Sequence, residues 1–101
     1  MAKGYWIAHG DLINPDGYGE YTKQNGPVFA KFGARFVVRA DRQIQAEGST
    51  RSRTVVLEFE DYETAVACYN STEYQRLVAI RAPHAHNDLI IVEGYDGSQP
   101  A

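Results

Sequence analysis

Alternation of apolar and polar residues predicts four β-strands along the chain, over residues 4–12, 35–40, 53–60 and 88–93. The third is the clearest, because it is rich in β-branched and aromatic residues. Alternation also assigns side chains to the two faces of each strand. In the first strand, one face carries Tyr5, Ile7, His9 and Asp11, and the other carries Trp6, Ala8 and Gly10.

Three- and four-residue spacing of apolar side chains predicts a helix between the first two strands. Asn14 and Pro15 are typical of a helix start, because asparagine caps free backbone N–H groups and proline suits the first helical position. The apolar stripe continues to Phe32, and Gly33 is placed to end the helix. Pro27 is expected to kink it, because proline removes one backbone hydrogen bond.

A second helical region, in two segments, is predicted between the third and fourth strands. Asp61 is a good cap for the first segment, and Ser71 can cap a second segment that ends before Pro83. Residues 41–50 are polar and predict a loop, in which residues 43–46 can pair briefly as an edge strand. The order is therefore β-α-β-β-α-β.

This order is typical of the ferredoxin-like fold, an α+β sandwich in which two helical regions cover one face of a four-stranded antiparallel sheet. Right-handed crossovers place both helical regions on the same side. Residues 1–94 then form one domain, and residues 95–101 form a flexible tail that is rich in small and polar residues.

The sheet face without helices is predicted to be largely apolar. Ile7, Val37, Val56 and either Ile90 or Val92 fall on that face if the strands alternate regularly. Leaving these side chains in water would expose a large apolar patch. A second copy packed sheet to sheet would cover it, so we expect a twofold homodimer.

The same face is predicted to carry polar side chains, among them His9, Arg39 and Glu58. Two interpretations of these residues are open. In one, Arg39 and Glu58 form an ion pair and His9 a hydrogen bond, and the three only fix strand register or the dimer. In the other they are catalytic, with Arg39 holding an anionic or carbonyl-bearing ligand while His9 or Glu58 moves a proton.

A second candidate site lies on the helices, where Tyr69, Tyr74 and Arg81 are candidate ligand-binding residues. Tyr69 and Tyr74 flank the Asn70-Ser71 break, where helix N-terminal amides can bind an anion. The alternative is that Ser71 itself satisfies those amides.

Composition excludes several classes of function. The chain has 101 residues and a formal net charge of -3, which argues against nucleic-acid binding through a broad cationic surface. The sequence predicts no membrane span and no signal peptide, and its single cysteine favours the cytoplasm. His84 and His86 are too few for a zinc site, so neither a metal nor another cofactor is predicted.

The chain resembles a family of small bacterial proteins, the domain of unknown function 1330 group, within the dimeric α/β-barrel superfamily. The resemblance rests on the ordered stretches 4–8, 14–21, 33–39, 55–59, 69–74 and 88–94. It implies ferredoxin-like subunits and dimerisation, but no particular reaction. The wider superfamily includes cofactor-free monooxygenases, lactone isomerases and haem proteins. The haem proteins are a poor guide, because no predicted helix presents an evident histidine ligand.

Two functional hypotheses follow. The first is a homodimer that binds a small aromatic or carbonyl-bearing molecule in a cleft, with any chemistry being cofactor-free acid–base catalysis. The second is a non-catalytic dimeric binding or interaction module, in which the polar sheet residues only stabilise the dimer.

Overall fold

The computed structural model describes residues 2–101, whose strands and helices follow the predicted order. The strands are β1 (Gly4–Leu12), β2 (Arg35–Ala40), β3 (Arg53–Phe59) and β4 (Ala85–Glu93). The helices are α1 (Pro15–Lys31), α2 (Tyr62–Asn70) and α3 (Thr72–Arg81), and one 3₁₀ turn, Ala82–His84, joins α3 to β4. β4 begins three residues earlier than its pattern predicted, because Ala85 to Asn87 pair with the end of β1.

The four strands form one antiparallel sheet in the order β2-β3-β1-β4. This is the predicted ferredoxin-like α+β architecture. β1 lies inside the sheet, with Trp6 opposite Leu57 on β3 and opposite Ile91 on β4. Ile7 is opposite Val56 and Ile90 in the next register position, so these three side chains share the face without helices.

The core lies between the sheet and the helices. Its buried side chains are Trp6, Tyr21, Phe29, Leu57, Phe59, Ala65, Cys68, Tyr74 and Leu77. Trp6 is central, because its ring lies edge-on to those of Phe29 and Tyr74 and its Nε1–H donates to the backbone carbonyl of Ala65 at 2.8 Å. Trp6, Leu57 and Phe59 therefore lie on the side of the sheet that the helices cover.

α1 begins and ends where the sequence predicted. The Asn14 side chain accepts the backbone N–H of Gly17, and Pro15 is the first helical residue. At the other end, Gly33 has a φ of 68°, which suits glycine. The N–H of Gly33 donates to Ala30 and that of Ala34 to Phe29, which forms a Schellman motif. The helix runs through Pro27 without a break.

The connection from β2 to β3 contains no strand, so the short edge expected at residues 43–46 is not formed. Its shape is fixed by side-chain hydrogen bonds instead, including one from the Gln43 side chain to the Arg51 carbonyl at 2.7 Å. Within residues 2–101, no helix is both long enough and apolar enough to cross a membrane.

Candidate functional site

A β-bulge in β2 decides which side chains reach the candidate site. Phe36 is opposite Leu57, but the next pair is Val38 with Val56, so Val37 is an extra residue without a partner. One inserted residue reverses the faces of all residues that follow it in the strand. Val38 therefore lies on the sheet face without helices, which we call the bare face, and Arg39 lies on the helix side. The expectation that Arg39 shares a face with His9 and Glu58 is therefore wrong.

Glu58 is paired with a different arginine. Its Oε1 lies 3.1 Å from Arg35 Nε, and its Oε2 accepts a hydrogen bond from the Tyr5 hydroxyl at 2.9 Å. The predicted Arg39–Glu58 ion pair does not form, because the register of β2 on β3 puts Arg35 opposite Glu58 and the bulge turns Arg39 to the helix side. The hydrogen bond to Glu58 also raises the pKa of Tyr5.

His9 also forms a hydrogen bond with a residue near its own strand. Its Nδ1 accepts the backbone N–H of Arg51 at 3.2 Å, and the Arg51 guanidinium pairs with Asp88 at 2.8 Å and Asp11 at 3.2 Å. His9 lies opposite Thr54, which is four residues from Glu58 and so about 13 Å away along β3. The structure does not bring His9, Arg39 and Glu58 together.

A cavity opens instead between the helices and the sheet. Three arginines and three tyrosines contribute to its wall: Arg39, Arg53, Arg81, Tyr18, Tyr21 and Tyr74. The inner part offers about 50 Å³. An adjoining outer part of about 260 Å³ shares Tyr18 and Arg53 with it and extends past His9, Asp11 and Asp41.

The inner cavity is cationic. Among the described residues, no aspartate or glutamate lines it, whereas three guanidinium groups do. Arg39 lies at its edge with the guanidinium carbon 4.6 Å from the centre of the Phe36 ring, an arrangement that keeps the charge beside an apolar wall. Such a lining favours a ligand that is negatively charged and has an apolar or aromatic body.

Arg81 is the deepest of the three arginines, with only 9% of its surface exposed. Its Nη1–H donates to the Tyr74 hydroxyl at 2.8 Å, and its guanidinium carbon lies 5.4 Å from the centre of the Tyr21 ring. Arg81 is two helical turns beyond Tyr74, so both side chains leave the same face of α3. Within residues 2–101, no carboxylate pairs with this buried guanidinium.

The tyrosines of the cavity supply hydroxyl groups beside Arg81. Tyr21 and Tyr74 share a hydrogen bond of 2.7 Å between their hydroxyls. Burial is the largest cause that raises the pKa of Tyr74, and it also raises the pKa of Tyr18. Both phenols therefore keep their protons at neutral pH, and the charge of the cavity comes from its arginines.

At the break between α2 and α3, the Ser71 side chain caps the new helix. The Ser71 hydroxyl accepts the backbone N–H of Tyr74 at 3.1 Å and donates to the Cys68 carbonyl at 2.7 Å. This is the alternative in which Ser71 satisfies the free amide. Tyr69 lines neither part of the cavity; its ring packs 5.7 Å from those of Trp6 and Tyr74. Of the three helix candidates, the structure brings Tyr74 and Arg81 to the cavity.

Sequence reasoning did not select Tyr18, Tyr21, Asn25 or Arg53 as site residues. The sequence holds a signal for two of them, Asn25 and Arg53. Asn25 is a polar residue on the apolar stripe of α1 and is buried with 8% exposure. Arg53 alternates with Val55 and Leu57, so it lies on the helix side of β3.

The fold and the cavity define a class, ferredoxin-like α+β proteins with a cleft between the helices and the sheet. The chain belongs to the family described as Domain of unknown function (DUF1330), whose model matches residues 3–95. No curated protein matches the chain.

Solved structures of several other proteins share the fold. The RPA0582 protein of unknown function from Rhodopseudomonas palustris is 17% identical with a TM-score of 0.73, over 95% of this chain and 85% of that one. SnoaB, a cofactor-independent oxygenase from Streptomyces nogalater, is 7% identical with a TM-score of 0.66, over 99% of this chain and 97% of that one. A dimeric ferredoxin-like protein of unknown function from Thermobifida fusca is 16% identical with a TM-score of 0.61, over 91% of each chain.

Proposed function

We propose that the protein binds a small molecule in the cavity between its helices and its sheet, and that this molecule carries an anionic or carbonyl oxygen on an aromatic or apolar body. The observation that carries the proposal is Arg81, a buried cation without a carboxylate partner among the described residues. A buried charge without an opposite charge costs several kcal/mol. A bound anion would remove that cost.

The space available suits a small ligand. One water molecule needs roughly 10–15 Å³ of such volume, and the inner and outer parts offer about 50 and about 260 Å³. Trp6, Phe29 and Phe36 contribute aromatic surface to the inner wall. A flat ring can pack against these residues while its polar group faces the arginines.

The residue roles differ from the sequence expectation in one respect. Arg39 remains a ligand group, but it acts with Arg53 and Arg81 rather than with His9 and Glu58. We assign a structural role to His9 and Glu58, because both form hydrogen bonds with neighbouring residues on the bare face. Any reaction would be cofactor-free, with guanidinium groups stabilising negative charge that develops on the ligand. The shared fold with SnoaB is compatible with such chemistry.

Calorimetric titration with benzoate and phenylacetate tests this function. Arg39→Ala and Arg53→Ala should each weaken binding by about tenfold or more, because a hydrogen bond to a charged group contributes about 1.5–3 kcal/mol. Arg76→Ala is the matched control, because Arg76 is exposed on α3 and its replacement changes the net charge by the same amount. Equal binding by all four proteins, or no binding of either acid by the wild type, would refute the proposal.

We also propose that the protein is a homodimer in which the bare sheet faces of two copies meet. The side chains of Val38, Val56, Ile7 and Ile90 form one row across all four strands. Ile7, Val38 and Ile90 are 37%, 41% and 58% exposed in the single chain. A row of aliphatic side chains across a whole sheet face is the kind of surface that a second copy covers.

A further inference from the structure

The hydrogen bonds around Arg81 have a direction that can be worked out. Arg81 is always a donor, so the Tyr74 oxygen accepts its N–H. The Tyr74 hydroxyl proton is then free to donate, and the Tyr21 oxygen is 2.7 Å away. If Tyr74 donates to Tyr21, the three groups form one chain in which every bond points from Arg81 towards Tyr21.

The opposite direction is less favourable. If Tyr21 donated to Tyr74, two donors would converge on one oxygen, and the Tyr74 proton would lack an acceptor at a site that is only 1% exposed. A head-to-tail chain instead strengthens each bond through mutual polarisation. The spare proton then belongs to Tyr21, the more exposed of the two tyrosines at 6%.

We propose that Tyr21 is a specificity-determining residue whose hydroxyl donates to the carboxylate oxygen of an aryl carboxylate bound in the cavity. This inference rests on the proposed function. Tyr21 lines the inner cavity, and its hydroxyl shares a hydrogen bond with Tyr74 beside the Arg81 guanidinium. Tyr74 is a positioning residue that links the Tyr21 hydroxyl to the Arg81 charge.

A carboxylate fits this arrangement better than a larger anion does. The inner cavity of about 50 Å³ has aromatic walls, which suit a planar group continuous with an aromatic ring. A carboxylate can accept from the Tyr21 hydroxyl with one oxygen and from a guanidinium with the other. A phosphate ester is tetrahedral and needs more donors, so it serves as the competing arm of the test.

The experiment compares benzoate, phenyl phosphate and toluene as probes of wild-type protein and of Tyr21→Phe. Loss of the hydroxyl should weaken the binding of benzoate by about tenfold or more. The affinity for toluene should stay within about twofold of wild type, because toluene has no oxygen to accept a hydrogen bond. Tyr5→Phe is the matched control, since Tyr5 donates to Glu58 on the bare face. Its benzoate affinity should equal that of wild type.

Tyr74→Phe tests the chain itself. It keeps the Tyr21 hydroxyl but removes the hydrogen bond that links Tyr21 to Arg81 through Tyr74, so the affinity for benzoate should fall while the affinity for toluene is unchanged. Nuclear magnetic resonance of wild-type protein with 13C at the tyrosine Cζ position gives a readout that needs no variant. Benzoate should shift the Tyr21 resonance and leave the Tyr5 resonance in place.

The outcomes separate this inference from the proposed function. Benzoate that binds Tyr21→Phe as tightly as wild type, with a stationary Tyr21 resonance, overturns the role of Tyr21 and leaves the cavity proposal standing. Phenyl phosphate that binds more tightly than benzoate overturns the carboxylate assignment. Absence of binding by any of the anionic probes overturns the cavity function, and the Tyr21 inference with it.

Discussion

Cys68 shows how burial can determine the chemistry of a residue. Its side chain is fully buried in α2, where desolvation is the main cause that raises the pKa of the thiol to about 12, with Glu73 adding to it. Its neighbours in the core include Trp6, Phe59 and Leu77. The thiolate is the reactive form of cysteine, so this residue is held in its unreactive form.

The native protein should therefore resist thiol reagents. With Ellman's reagent at about pH 8, where a free cysteine is partly thiolate, Cys68 should react at least a hundredfold more slowly in native protein than in urea. The release of thionitrobenzoate measures both rates. Native protein that reacts as fast as unfolded protein would contradict the burial of this thiol.

Ser71 is the smallest determinant at the scale of elements, because a single hydroxyl ends α2 and begins α3. Ser71→Ala removes both hydrogen bonds of the hydroxyl. The loss should lower the free energy of unfolding by about 1 kcal/mol, the usual contribution of a helix cap. Urea denaturation followed by circular dichroism measures the change. Ser71→Thr keeps a hydroxyl and should recover most of the stability, whereas equal loss in both variants would contradict capping.

The elements were predictable because each has a local cause. The start of α1 follows from Asn14 and Pro15, and its end from Gly33. The start of β4 was not predictable, because the polar residues before Asp88 pair only when the end of β1 lies beside them. The local sequence pattern predicts that a strand is present, but pairing with the neighbouring strand determines how long it is.

The candidate site was predictable only in part, and the bulge at Val37 is the reason. Regular alternation placed Arg39 with Glu58, and one extra residue moved Arg39 to the opposite face and into the cavity. Tyr74 and Arg81 lie on one face of α3 and are joined by a hydrogen bond, an arrangement that follows from helical spacing and does not depend on the sheet. Their shared contact with Tyr21 on α1 required the packing of α1 on α3.

At the scale of the whole molecule, several carboxylates make stability depend on pH. Hydrogen bonds lower the pKa of Asp11, through Ser52, and of Asp88, through Arg51. Thr64 does the same for Asp61, and Lys31 for Glu73. A pKa that is lower in the folded state than in the unfolded chain gives stability above the unfolded pKa, which is lost as the pH falls through the folded pKa.

The free energy of unfolding should therefore decline as the pH falls below about 4, the ordinary range of these carboxyl groups. Urea denaturation at a series of pH values from neutral to about 2 measures this decline. Asp88→Asn should make the decline shallower, because it removes one of the contributing groups. Glu93→Gln is the control, since Glu93 is exposed and forms no ion pair among residues 2–101. A pH-independent stability in wild type would contradict the linkage.

The bare face of a single chain also predicts how two copies of the chain associate. Helices cover one face of the sheet, and the row through Ile7 leaves aliphatic side chains on the other. Ile7→Lys places a charge at the centre of that row, where it would have to be buried against the partner. Because burying an unpaired charge costs several kcal/mol, the variant should sediment as a monomer while wild type sediments as a dimer.

Ile44→Lys is the matched control for this substitution. Ile44 is 92% exposed in the connection between β2 and β3, outside the sheet, so the same change of residue should leave the dimer intact. Sedimentation velocity at several protein concentrations compares the three proteins. Circular dichroism of Ile7→Lys should match wild type, because the lysine points away from the core. Wild-type protein that is monomeric at every concentration would refute the paired sheets, because the row would then be stable in water.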